Sequence, residues 1–328
     1  MNLKDEELIQ KSEEIGMNNM ITVKDLEKNY QSKKAVDGIN FVVNKGEILG
    51  LLGPNGAGKS TTINILATIL SADHGEVTIM GHDLKKDAKL IKQGIGIVPQ
   101  DLAIYEEISA EKNVRFFASL YKLKGHQLDN QVKEALELVG LYDRKDDKPK
   151  TFSGGMKRRL NIACAIAHQP QVIIMDEPTV GIDPQSRNHI LESIKTLKSR
   201  GATVIYSTHY MEEVEAISDR IIIMNDGKII AEGTKEELNQ KVNDEITYYF
   251  SVNNLDELSE EQLNRISGVT KVKIYDNKVE ITSDKSIDNL NEIIAVILGN
   301  GCKIENMSSE VASLETTFLE LTGRSLRD

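Results

Sequence analysis

Four residues of the stretch GLLGPNGAGKSTTINIL stand at a spacing suited to holding phosphate: Gly53, Gly58, Lys59 and Ser60. They follow an apolar, strand-like run and open a helix-like one, which is the context that confirms this kind of motif. The glycines let the backbone curl so that successive amides face an anion, and the helix N-terminus adds its partial positive charge. Lys59 would reach the outer phosphates of a nucleotide, and Ser60 would ligate magnesium.

A magnesium–nucleotide site also needs a carboxylate at the end of a neighbouring strand. QVIIMDEPT supplies Asp176 for that place and Glu177 directly after it. Beside a terminal phosphate, the Glu177 carboxylate can orient or deprotonate the attacking water. Two adjacent acids at a strand end could instead form a solvated turn, the weaker reading even without the glycine turn and weaker still beside it. His209 closes VIYSTH, where a donor to charge developing on phosphate is favoured over a surface or satisfied core histidine. Gln100 closes GIGIVPQ in the same manner, and its amide could join magnesium or water to the segment that follows. Tyr30 is either a core aromatic or a flat face for an adenine ring.

A second glycine turn lies about a hundred residues further on, in TFSGGMKRRL. Ser153, Gly154 and Gly155 bare backbone amides at the mouth of a helix. Lys157, Arg158 and Arg159 fall in its first turn, where each cation costs about 0.3–1 kcal/mol against the helix dipole unless an anion is near. The expectation is a field for phosphate. The alternative is three cations splayed into solvent or paired with acids.

These residues need a scaffold that gathers strand ends. EILGLLG, GIGIVP, QVIIMDEP and TVIYSTH are short, apolar and ended by Gly, Pro or polar residues, as buried parallel strands of an α/β sheet are. Ligands collect at the carboxyl ends of such strands. Residues 1–19 form a polar tail, and alternation begins with MITVKDLEKNY, so the first domain is placed at 20–240. Within it, residues 101–167 carry helical spacing, with Val132, Ala135, Leu136 and Val139 on one face, and read as an inserted helical subdomain. Residues 245–328 form a small α+β domain: strands ITYYFSV and VTKVKIYDNKVEIT with a turn at Asp276 and Asn277, the helix IDNLNEIIAVILGNG, another strand and a last helix SLETTFLELTGR.

Composition narrows the function classes. The 328 residues carry a net charge of −11, which argues against a general nucleic-acid or anionic-lipid surface. Cys164 and Cys302 lack metal-ligand spacing and read as reduced packing residues of a cytosolic protein. No apolar run approaches the roughly 20 residues of a spanning helix, and MNLKDEELIQKSEEIG is too acidic for a signal peptide.

Taken in order, these segments resemble the ATP-binding cassette (ABC) ATPases, from about Ile21 to Leu238, and the Ser-Gly-Gly core of the second turn separates that family from other phosphate-loop proteins. The resemblance implies a P-loop NTPase fold of α/β class with a helical insertion. It assigns Tyr30 to adenine stacking and Gly53, Pro54, Asn55, Gly56, Ala57, Gly58, Lys59, Ser60 and Thr61 to phosphates and magnesium. Gln100 becomes the Q-loop glutamine, with magnesium or water as its partner, and Asp176 a magnesium ligand. Glu177 becomes the catalytic carboxylate, Asp183 the D-loop acid and His209 the switch histidine; Lys59 and Gln100 also serve catalysis. Ser153, Gly154 and Gly155 become the signature, acting on ATP held by a second copy of the chain in a head-to-tail dimer. Phe152 and Met156 depart from the commonest signature, Leu-Ser-Gly-Gly-Gln, and the methionine removes an amide. DLAIYEEISAEKNVRFFASLY, FSGGMKRRL and SLETTFLELTGR look like the ATPases of the ABC-2, daunorubicin-type drug exporters. That implies an ATPase powering a separate membrane permease, peripheral on the inner face of the cell membrane, with an accessory C-terminal domain. The alternatives are a non-transport ABC ATPase acting on ribosomes or DNA, and a nucleotide-sensing module.

Overall fold

The computed structural model describes residues 18–31, 33–242, 245–254, 258–311 and Phe318. The polar tail up to residue 17 and, apart from Phe318, the helix expected over SLETTFLELTGR lie outside the described residues. The chain divides between Thr234 and Lys235 into two compact units, where the sequence reading ended the first domain at residue 240.

In the first unit the elements run β1 (Asn19–Tyr30), β2 (Lys33–Asn44), β3 (Ile48–Leu52), α1 (Lys59–Leu66), β4 (His74–Ile79), β5 (His82–Asp83), α2 (Ala88–Gly94) and β6 (Ile95–Val98). Then come α3 (Ala110–Leu120), α4 (Gly125–Leu138), α5 (Gly154–Ile166), β7 (Val172–Asp176), α6 (Pro184–Ser199), β8 (Thr203–Thr208), α7 (Met211–Ile217), β9 (Arg220–Asn225) and β10 (Lys228–Gly233).

The expected buried strands are β3, β6, β7 and β8. They join β9 in a parallel array ordered β9-β3-β8-β7-β6, with β10 antiparallel at one edge. Every residue of β3, β7 and β8 is buried, as in a parallel sheet covered on both faces. Their register decides where the site forms. Leu52 lies beside Thr208, and Asp176 beside Ser207, so the three strands end level and release Gly53, Glu177 and His209 at one rim.

An antiparallel sheet, β2-β1-β4-β5, shares a core with this array. Ile21, Val23 and Phe41 pack in one apolar cluster with Leu49, Leu51, Ile63 and Ile174. The inserted helical stretch follows the predicted face, with Val132, Ala135, Leu136 and Val139 buried along and just after α4.

In the second unit α8 (Lys235–Val242) precedes β11 (Glu245–Asn253), α9 (Glu260–Asn264), β12 (Val269–Tyr275), β13 (Lys278–Asp284), α10 (Leu290–Gly299) and β14 (Lys303–Val311). The strands pair antiparallel in the order β12-β13-β11-β14, so the β-α-β-β-α-β run is a ferredoxin-like fold. Asp276 turns the β12–β13 hairpin with a φ of 51°. Tyr248, Phe250 and Val252 alternate onto one face of β11 and pack with Ile293 and Ile297 of α10.

Candidate active site

The turn between β3 and α1 is built from close backbone approaches. A β-carbon on Gly53 would lie 2.4 Å from the Met224 carbonyl oxygen, and one on Gly58 2.4 Å from that of Ala35. Gly58 also holds a φ of +102°, which side chains oppose, and directly precedes α1. Asn55 and Gly56 are exposed at the tip, whereas Ala57 is buried beneath it and Pro54 and Thr61 are half-buried.

Lys59 is buried, and its ammonium donates to the carbonyls of Gly53 at 2.7 Å and Pro54 at 3.1 Å. Its Nζ stands 3.4 Å from Glu177 Oε1. Burial lowers the Lys59 pKa below its ordinary value, and the Glu177 and Asp176 carboxylates oppose that shift by favouring the charged form.

The exits of β7 and β8 complete the cluster. Asp176 Oδ1 accepts hydrogen bonds from Ser60 Oγ at 3.2 Å and Ser207 Oγ at 2.6 Å. Glu177 has a left-handed backbone, φ 46°, a conformation that costs a non-glycine residue about 1–2 kcal/mol. It is held there because its N–H donates to both the carbonyl and the hydroxyl of Ser207, each at 3.1 Å. The twist turns the carboxylate between two nitrogens: Oε1 is 3.4 Å from Lys59 Nζ and 3.3 Å from His209 Nδ1. The His209 contact lies within ion-pair distance but is not aligned as a hydrogen bond.

Ser207 was not among the residues the sequence singled out. Its signal was faint: one hydroxyl among several in the buried strand TVIYST, one residue short of the exit.

The Ser60 hydroxyl and the Asp176 carboxylate are hard oxygen donors beside a phosphate-binding turn, and they suit magnesium. Among the described residues no group of three or more His, Cys, Asp or Glu side chains could hold a metal by itself.

Other predicted residues stand outside this cluster's contacts. Tyr30 is 48% exposed at the end of β1, so it is not a core aromatic. Gln100 has an exposed side chain just past β6. Asp183 caps α6, its Oδ1 accepting from Ser186 N at 2.9 Å, and these bonds hold its carboxyl below the usual range. Ser153 caps α5 by accepting from Met156 N at 3.3 Å; Ser153 and Gly154 are exposed, Gly155 buried.

The expected field of three cations for phosphate is not what α5 presents. Arg158 is buried and donates to the carbonyls of Pro99 at 2.9 Å and Gln100 at 2.6 Å. Arg159 donates to Val139 O at 2.8 Å and Gly140 O at 3.3 Å, and Lys157 pairs with Glu106 at 2.6 Å. Carbonyls and an acid of the same chain thus answer these charges, and burial lowers both arginine pKa values.

Comparison with known proteins adds to this geometry. The family described as "ABC transporter" matches residues 36–180. The chain is 42% identical to the linearmycin resistance ATP-binding protein LnrL of Bacillus subtilis, over 94% of this chain and 100% of that one. It is 39% identical to the daunorubicin resistance ATP-binding protein DrrA3 of Streptomyces coeruleorubidus, over 66% of this chain and 69% of the relative. Among solved structures it resembles the dimeric post-hydrolysis state of the ATP-binding cassette MJ0796 bound to ADP and Pi, with a TM-score of 0.60 and 28% identity, covering 66% of this chain and 98% of that one.

Proposed function

The chain belongs to the ABC transporter family, as an ATP-binding subunit of the drug-resistance group, and from that premise we propose which residues hydrolyse ATP and what the hydrolysis drives. The observation that carries the assignment is the Glu177 carboxylate, fixed by a left-handed backbone between Lys59 and His209 at the rim of the sheet.

Lys59 and the backbone N–H groups of Asn55 to Thr61 bind the phosphates of ATP, and Tyr30 offers its exposed ring to the adenine. Glu177 orients the attacking water and takes its proton. His209 donates toward the charge that develops on the terminal phosphate. Ser60 and Asp176, with the Gln100 amide, would hold magnesium, which neutralises phosphate charge when bound.

Two chains pair so that Ser153, Gly154 and Gly155 of each meet the nucleotide of the other, next to Asp183. The accessibility of Ser153 and Gly154 supports that reading, as does the dimeric state of the cassette MJ0796. Residues 20–234 are the cassette, and the second unit, from Lys235, is an accessory domain that supports or regulates the dimer. A separate permease spans the membrane and seats this subunit on its inner face; among the described residues no helix is long and apolar enough to cross by itself. The cargo is a drug-like amphipathic compound, a reading supported by relatives named for resistance to linearmycin and daunorubicin.

Affinity purification from detergent-solubilised membranes tests this function. Recovery of a multi-span membrane protein whose presence alters ATP turnover is the expected result. Ribosomes or DNA in its place would overturn the transporter reading.

A further inference from the structure

Behind the rim, and apart from the groups that face nucleotide, lies a buried charge that no step above uses. Glu213, in the first turn of α7, is only 1% exposed. Its Oε2 accepts hydrogen bonds from Tyr206 Oη and Thr208 Oγ1, both at 2.8 Å. Its Oε1 lies 3.3 Å from Nε of Arg187, the fourth residue of α6, within ion-pair distance but not aligned as a hydrogen bond. A buried carboxylate persists as a charge only when paired and hydrogen-bonded, so this contact set defines where β8, α6 and α7 sit relative to one another.

His209 is at the centre of that set although it touches none of it through Glu213. Thr208 precedes it, and Thr208 Oγ1 both donates to Glu213 and accepts from Tyr210 N at 3.0 Å, closing a loop across the histidine. Tyr210 follows it; the Arg187 guanidinium lies 5.0 Å from the Tyr210 ring centroid, and that ring is 4.2 Å from the His209 ring. Both chain neighbours of His209 are therefore held by one ion pair. The other end of the pair is on α6, four residues from its cap Asp183.

We propose that Arg187 and Glu213 are positioning residues for His209, which make the place of its ring depend on the place of α6 and hence of the Asp183 cap. The proposal rests on the reading of His209 and Glu177 as catalytic. Glu213→Gln keeps an oxygen for Tyr206 and Thr208 but turns an amide toward Arg187, and Arg187→Met keeps the stem while removing the charge. Neither residue touches nucleotide in the assignment above, so each should act on kcat and leave the KM for ATP nearly unchanged.

The test is steady-state ATP hydrolysis by the full chain, for both variants, in the native background and combined with His209→Ala. In the native background each variant should lower kcat about tenfold with KM within about twofold. In the His209→Ala background neither should lower the residual turnover further, because the group they position is gone. Equal losses in both backgrounds would mark a general packing role and overturn the proposal. So would a native kcat untouched by either variant. If Glu213→Gln does not fold, Arg187→Met, whose side chain is a quarter exposed, decides alone. Failure of the underlying reading has its own signature: Glu177→Gln hydrolysing at the native rate.

Discussion

Gly155 lies against Ser186: a β-carbon on Gly155 would stand 2.1 Å from the Ser186 hydroxyl oxygen and 3.1 Å from an Asp183 carboxylate oxygen. The start of α5 and the capped start of α6 are thus packed together within one chain. Gly154, its neighbour, would place a β-carbon in open space. The two glycines of the second turn do different work. One permits close approach of two helices; the other leaves a surface bare.

Gly155→Ala should therefore lower stability by about 1–3 kcal/mol through overpacking, while Gly154→Ala stays near the native value. Adding Ser186→Gly to Gly155→Ala should restore part of the loss. Urea titration of the four proteins measures this, and equal stability of the two alanine variants would contradict the packing.

The same difference makes Gly154 the proper site for a test in trans. Lys59→Ala should disable phosphate binding in its own chain, and Gly154→Asp should set a carboxylate against the partner's nucleotide without disturbing its own fold. Each alone should be nearly inactive. Mixed in equal amounts, they pair at random, and half the dimers carry one intact site of two, so up to about a quarter of native activity should return. Full hydrolysis by Gly154→Asp alone would exclude an intermolecular signature.

Replacing Glu177 with glutamine keeps its size but removes the base. Turnover should fall about 10²- to 10⁴-fold while ATP still binds, and MgATP should then trap a dimer visible by gel filtration. A variant that turns over normally, or that stays monomeric at every concentration, counts against the role.

Arg220 begins β9 and ties three strands together. Its Nε donates to Glu47 Oε1 at 2.8 Å, and its other nitrogens bond Glu232 and the Val42 carbonyl. Glu47 is buried, so Arg220→Met would leave its charge uncompensated and should cost about 3 kcal/mol. Glu47→Gln added to Arg220→Met should recover more than half of that, as read by denaturant midpoints.

His168 supplies a pH dependence. Burial against the Tyr121 ring, 3.5 Å centroid to centroid, pushes its pKa down to about 4, although Nε2 lies 3.0 Å from the Ile95 carbonyl oxygen. The unfolded chain thus takes up this proton first as pH falls. The stability it contributes is complete above about pH 6.5 and is lost between there and pH 4, about 2 kcal/mol of it by pH 5. His168→Gln removes the titration, so the stability gap between native and variant proteins should narrow by that amount from pH 7.5 to pH 5. A constant gap would contradict it.

Much of this protein was legible as a string. The glycine turn before Lys59, the acids after VIIM and the histidine after VIYST are contiguous motifs at strand exits, and local order alone specifies them. Strand and helix periods in Val132 to Val139 or Tyr248 to Val252 are likewise local. What a string does not contain is the lateral order of strands. Pairing β7 with β8 put Ser207 beside Asp176, gave the Glu177 N–H its partner and held that residue left-handed. The partners of Arg158 are 58 and 59 residues away, so its first-turn position suggested an anion where folding supplied two carbonyls. Ser186 is likewise far from Gly155 in sequence and near only once α5 and α6 pack. Spacing along the chain chooses residue types for chemistry; which of them meet is decided by buried strands and helices whose polar groups must find partners across long loops.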